Sequence, residues 1–215
     1  MLGKKFVIAL AALSVFNLSN VNVDENFSSV SKVYAAEESN IDLAEQSNVE
    51  GLKLYLQKNY AAAAAKFTEA IQLNPNFASP YTNRGAAYCE MGQYQQAIDD
   101  CTKALSFNLD YVDVEAYSTR GAAYYGIGNY SQAIDDCTKS IQLNPEYMYS
   151  YYNRGISYYK TKNYSKAIED LTKVIELSPN SSAAYYNRGL AYKSIGENAK
   201  ANADFNKANS LGYNS

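Results

Sequence analysis

The chain reads as an all-α protein, a solenoid of five helical hairpins, and three observations predict it. One phrase is written five times, as Gly51-Leu-Lys-Leu-Tyr, Gly85-Ala-Ala-Tyr-Cys, Gly121-Ala-Ala-Tyr-Tyr, Gly155-Ile-Ser-Tyr-Tyr and Gly189-Leu-Ala-Tyr-Lys, at spacings of 34, 36, 34 and 34 residues. Twelve residues after each glycine stands an alanine: Ala63, Ala97, Ala133, Ala167 and Ala201. Between glycine and alanine lies a break, as in Gly92-Gln93-Tyr94, Gly128-Asn129-Tyr130, Lys162-Asn163-Tyr164 and Gly196-Glu197-Asn198. A period of this length marks stacked supersecondary units, each too small to bury a core alone.

In chain order, residues 1–35 read as an export signal. Lys4 and Lys5 form a positive start, Phe6 to Phe16 an apolar run, and Val33-Tyr34-Ala35 suits a signal peptidase cutting before Ala36. That run would rise about 16 Å as helix, half of a ~30 Å hydrocarbon core, so no stable membrane span is expected after cleavage. Residues 36–43 read as a linker. The array then fills 44–215, as units 44–77, 78–111, 114–147, 148–181 and 182–215, with Val112 and Asp113 inserted after the second.

Each unit is numbered so that its glycine is position 8. Position 4 is Tyr81, Tyr117, Tyr151 and Tyr185, with Ser47 in the first unit; position 11 is Leu54, Tyr88, Tyr124, Tyr158 and Tyr192. Apolar or small residues at 4, 8 and 11, then at 20, 24 and 27, give two helical stripes. The break near 15 and 16 ends helix A and turns helix B back antiparallel. Asn74-Pro75 and Asn144-Pro145 close helix B, because proline disfavours helix in the residue before it.

Two internal comparisons bear on packing. Position 7 is Arg84, Arg120, Arg154 and Arg188, and position 23 is Asp100, Asp136, Asp170 and Asp204; in the first unit both signs reverse, to Glu50 and Lys66. A paired reversal is what direct contact produces, so an ion pair within each unit is expected. Positions 21 and 28 are apolar in four units but Asn202 and Asn209 in the fifth, which reads as a polar cap ending the stack at five.

Composition bounds the chemistry. There is no histidine, so imidazole metal ligation and histidine acid–base roles are excluded. Cys89, Cys101 and Cys137 are odd in number and form no CxxC pair, so they read as small hydrophobes rather than a disulfide framework or a metal site. The net charge of −3, without a basic stripe, gives nucleic-acid binding no support. No cofactor motif is present, and the Asp99-Asp100 and Asp135-Asp136 pairs recur at equivalent polar places on helix B. A non-enzyme is expected.

The repeat resembles the tetratricopeptide (TPR) family over five consecutive copies. Tyr151-Tyr-Asn-Arg-Gly-Ile-Ser-Tyr and Tyr185-Tyr-Asn-Arg-Gly-Leu-Ala-Tyr are similar to the version common in bacteria, and with the leader they resemble exported bacterial TPR proteins. The first unit departs most, lacking the aromatic at 4 and a glycine at 15. The resemblance implies a right-handed α–α superhelix whose concave surface, lined by helix A positions 2, 5, 9, 12 and 13, binds a partner. Among those positions Tyr125, Tyr149, Tyr152, Ile156, Tyr159, Tyr186 and Leu190 are the candidate partner-binding residues. Tyrosine suits recognition, offering a large apolar face and a polar tip; packing between repeats is the other role open to these residues. The carboxylate clamp of chaperone-tail TPRs is unsupported: only Asn83 fits, while Asn48, Leu52, Glu115 and Thr119 stand at its other places. The expected function is a non-catalytic protein-interaction scaffold, in the cell envelope or secreted, binding a partner peptide or segment in the groove. A glycan-binding envelope module using the tyrosine-lined groove is the alternative, and a structural spacer a third.

Overall fold

In the sequence each unit offers two amphipathic stripes separated by a chain reversal, and the fold is built by stacking them. The computed structural model describes residues 23–213, and these form ten helices and no strand. They are α1 (Val23–Leu56), α2 (Tyr60–Leu73), α3 (Ala78–Glu90), α4 (Tyr94–Leu105), α5 (Asp110–Gly126), α6 (Tyr130–Leu143), α7 (Met148–Lys160), α8 (Tyr164–Leu177), α9 (Ser182–Ser194) and α10 (Asn198–Ser210). Contacts divide the chain into residues 1–42 and 43–215. In the first part, residues 1–22, which carry most of the expected signal, lie outside the described residues. Residues 36–43, expected as a linker, are helical within α1. No described helix is long and apolar enough to cross a membrane.

The second part is the array. Odd-numbered helices are the A helices and even-numbered ones the B helices. Neighbouring A helices touch one another, as α3 with α5, α5 with α7 and α7 with α9, whereas no two B helices are in contact among the described residues. The A helices therefore lie closer together and form the inner, concave layer of the superhelix, with the B helices outside.

The glycine at position 8 is required by close approach. A Cβ on Gly51, Gly121 or Gly189 would stand 2.5, 2.6 or 2.7 Å from the side chain of Phe67, Cys137 or Phe205, the position-24 residue of helix B. The alanines at position 20 are buried at the same crossing, with Ala63, Ala97, Ala133 and Ala167 all 0% exposed. Position 15 always adopts a left-handed conformation, by glycine at Gly92, Gly128 and Gly196 and by lysine at Lys58 (φ 60°) and Lys162 (φ 63°). Asn59, Asn129 and Asn163 then start helix B, their side chains accepting from the backbone of Ala62, Gln132 and Lys166. The two inserted residues extend a helix rather than a loop: α5 has 17 residues against 13 in α3, and Val112 is buried with Tyr81, Cys101 and Ala116.

The expected ion pairs are present in every unit. Arg84, Arg120, Arg154 and Arg188 each make a two-pronged contact to the aspartate 16 residues on, at 2.7–3.0 Å. Their remaining nitrogen donates to a threonine of the preceding B helix: Thr68, Thr102, Thr138 and Thr172. Each guanidinium also lies over the position-4 tyrosine of its unit, at 5.6–5.9 Å. One arginine thus joins three helices and two units. In the first unit Lys66 meets Glu50 at 2.9 Å, with the signs reversed.

Candidate functional site

The A helices form the inner layer, and positions 2, 5, 9, 12 and 13 of each unit lie on them. The position-12 tyrosines pair with the tyrosine five residues on at the start of helix B. Tyr55 meets Tyr60 edge-on at 5.2 Å, Tyr125 tilts on Tyr130 at 5.5 Å, and Tyr159 tilts on Tyr164 at 5.6 Å. These pairs make a ladder along one rim of the groove, with Cys89 and Tyr94 taking the two places in the second unit. Gly126 packs on the Tyr94 ring so closely that an added Cβ would sit 2.5 Å from it.

The remaining candidates differ in their engagements. Tyr149 is 57% exposed and tilts on Tyr147 at 5.5 Å. Tyr152 is half-buried against Leu171, Val174 and Ala184, and its hydroxyl accepts from Asn187 at 3.1 Å. Burial raises the Tyr152 phenol, with Tyr213 and Tyr125 as neighbours. Tyr186 is sandwiched, stacked on Tyr213 at 4.4 Å and tilted on Phe205 at 5.6 Å. Ile156 and Leu190 are half-buried. Of the seven candidates Tyr149 is the most exposed, and the others are half-buried.

Sequence reasoning missed Tyr147, at the start of α7 and outside the five groove positions. Burial pushes its phenol well up, the charges of Glu115, Tyr149 and Tyr55 add to the rise, and its ring tilts on Tyr149 at 5.5 Å. Tyr55 is pushed up to about 12 by burial, with Glu90, Tyr60 and Cys89 beside it. Glu115 is solvent-accessible, yet partial burial raises its carboxyl above the ordinary value.

Position 6 ties neighbouring A helices together. Asn83 donates to Asn48 at 2.9 Å, Asn153 to the Ser118 carbonyl at 3.4 Å and Asn187 to Tyr152. The clamp-matching Asn83 is thus engaged inside the array. The cysteines offer no activated thiol: burial pushes Cys89 up to about 12 and raises Cys101 and Cys137 as well. Among the described residues no group of three or more cysteines, aspartates or glutamates is placed to hold a metal ion.

Comparison with known proteins agrees with this architecture. Family profiles described as "Tetratricopeptide repeat" match residues 78–111, 114–147, 149–181 and 171–201, and one described as "TPR repeat" matches 51–92. The chain is 46% identical over 65 residues to the translocon at the outer membrane of chloroplasts 64 of Pisum sativum, covering 30% of this chain and 11% of that protein. It is 41% identical over 56 residues to the Hsp70-Hsp90 organizing protein 3 of Arabidopsis thaliana, covering 26% of this chain and 10% of that one. The matched stretch thus spans about a tenth of either relative. Among solved structures, MamA protein superposes with a TM-score of 0.62 at 27% identity, over 82% of this chain and 91% of that one. The chain belongs to the tetratricopeptide-repeat family, whose members generally mediate protein–protein interactions and are typically non-catalytic.

Proposed function

We propose that this protein is a non-catalytic scaffold that binds a peptide or an extended segment of a partner protein in the concave groove of its TPR array. The observation that supports it best is the inner layer itself. Tyr149 is open to solvent, and the same layer carries half-buried rings at Tyr125 and Tyr159 and half-buried apolar side chains at Ile156 and Leu190, a mix of anchors and polar tips that suits a peptide groove. Rings paired edge-on or tilted present edges and hydroxyls more than flat faces, which favours a peptide over a stacked sugar.

The test is retention of displayed random peptides by the immobilised full chain, against Tyr149→Ala and Tyr125→Ala variants. Retention by the wild type, lost in the variants and not competed by oligosaccharide, is the expected result. Equal retention by the variants moves recognition off the groove, and competition by oligosaccharide alone turns the reading to glycan. We further propose that the chain is exported, on the strength of the Lys4-Lys5 and Phe6–Phe16 pattern. N-terminal sequencing of the protein from its native cell should then begin at Ala36; an intact Met1 in cytosolic material would overturn export.

A further inference from the structure

The two ends of the array are finished differently. At the far end, positions 21 and 28, apolar in the other units, are Asn202 and Asn209, both exposed. A sixth unit finds no apolar surface to cover there. At the near end, positions of the A helix that meet a preceding unit have changed as well. Position 3 is Pro80, Ala116, Ser150 or Ala184 in the later units, and position 10 is Ala87, Ala123, Ser157 or Ala191, all fully buried. In the first unit these places hold Gln46 and Lys53, both exposed, and both too long for another unit to approach as closely. Stacking therefore stops at both ends.

The near end is nevertheless not polar. Val49, Leu52 and Leu56, at positions 6, 9 and 13 of α1, are 49%, 39% and 81% exposed. Their spacings of three and four residues set them on one arc of the helix. In the later units position 6 is asparagine or threonine, and position 13 is Glu90, Gly126, Lys160 or Ser194. Position 9 is apolar in those units too, but half-buried. Aliphatic side chains gathered on the open face of a terminal helix, where the other units carry polar ones, mark a surface that another apolar surface covers. Charge frames the same arc: Glu45 precedes Val49 by one turn, and Lys53 flanks the second half between Val49 and Leu56.

We propose that this stripe is the contact between two copies of the chain, their first A helices packed antiparallel across a two-fold axis. Antiparallel packing sets the Glu45 end of each helix beside the Lys53 end of its mate, so opposite charges meet in both halves of the contact. A parallel pair would set like charges together. The asparagine-faced far end cannot cover these aliphatic side chains, so copies do not join head to tail and association closes at two. Three aliphatic side chains from each copy, framed by two ion pairs, make a small interface, and the dimer is a reversible one.

Sedimentation of the full chain over a concentration series tests it. The wild type should pass from monomer to dimer with a midpoint of order micromolar, and go no further. Val49→Gln and Leu56→Gln should each weaken the dimer by about tenfold or more, with circular dichroism matching the wild type because both positions are exposed. Lys53→Glu should weaken it as well, and adding Glu45→Lys in the same chain should restore it, since the exchange rebuilds each ion pair with its signs swapped. A wild type that stays monomeric to roughly millimolar concentration overturns the contact. Association that ignores the Val49 and Leu56 substitutions belongs to another surface, Phe6–Phe16 included, and overturns it equally. Growth beyond two copies, or a double variant as weak as Lys53→Glu alone, would overturn the antiparallel two-fold arrangement.

Discussion

The first unit and the four that follow solve the same contact differently. Positions 7 and 23 meet in all five, but Arg154 and Asp170 are 17% and 5% exposed, whereas Lys66 and Glu50 are 35% and 39% exposed. The later arginines grip both carboxylate oxygens and reach back to a threonine of the unit before, so each clasp also fixes the stacking of two units. Lys66 reaches only carboxylates of its own unit, Glu50 and Glu69. A guanidinium presents a planar fork that serves three helices at once, and an ammonium does not. The contact that closes a hairpin is therefore separable from the contact that builds the solenoid.

The largest effect should follow from breaking a later clasp. Arg154→Ala leaves Asp170 buried, with a carboxyl that burial already raises, and strips Thr138 of its partner. The cost expected is about 3–5 kcal/mol, the range for removing one member of a buried pair. Chemical denaturation of Arg154→Ala beside Lys66→Ala measures the difference, since the exposed pair should unfold with no resolvable change. Equal losses would mean that the reach to the preceding unit contributes nothing.

Next in size is a change that should not distinguish the units. Ala63 and Ala167 are both 0% exposed at the helix A–B crossing. Leucine at either place overpacks it and should cost about 1–3 kcal/mol in both. A tolerated Ala63→Leu beside a damaging Ala167→Leu would show that the first hairpin is looser in its core as well as in its charges.

These contrasts also mark what could be read in advance. The glycine and alanine register marks both helices of every hairpin, and the reversed pair at Glu50 and Lys66 marks a contact in the sequence itself, because both are properties of one unit. The threonine ties were not legible. Thr68, Thr102, Thr138 and Thr172 are unremarkable polar residues on helix B until the next unit's arginine arrives. Val112 read as an inserted residue and is part of a helix, since its apolar side chain meets Tyr81 and Ala116. Tyr125 and Tyr149 are candidates by repeat position alone. The roles of Tyr147, of Tyr213 on Tyr186 and of Asn187 on Tyr152 are not legible there. Asn187 reaches Tyr152 across two units, and Tyr213 returns from the end of the fifth unit onto its A helix, so neither contact is written in the pattern of a single helix.

The smallest expected effect is the most discriminating. Exchanging the first clasp for the later kind, by Glu50→Arg with Lys66→Asp, restores the fork and its carboxylate at the same two positions. If the pair alone made the later clasps strong, the double variant would gain what Arg154→Ala loses. In the later units, however, the arginine draws on more than its aspartate. It is covered by a position-4 tyrosine and anchored on a threonine of the unit before, whereas position 4 of the first unit is Ser47. Burial by those neighbours is what turns an ion pair of little consequence into one whose rupture is costly. The double variant should therefore melt within error of the wild type. A full gain from the charge exchange alone would assign the strength of the later clasps to the fork and remove the neighbouring units from the account.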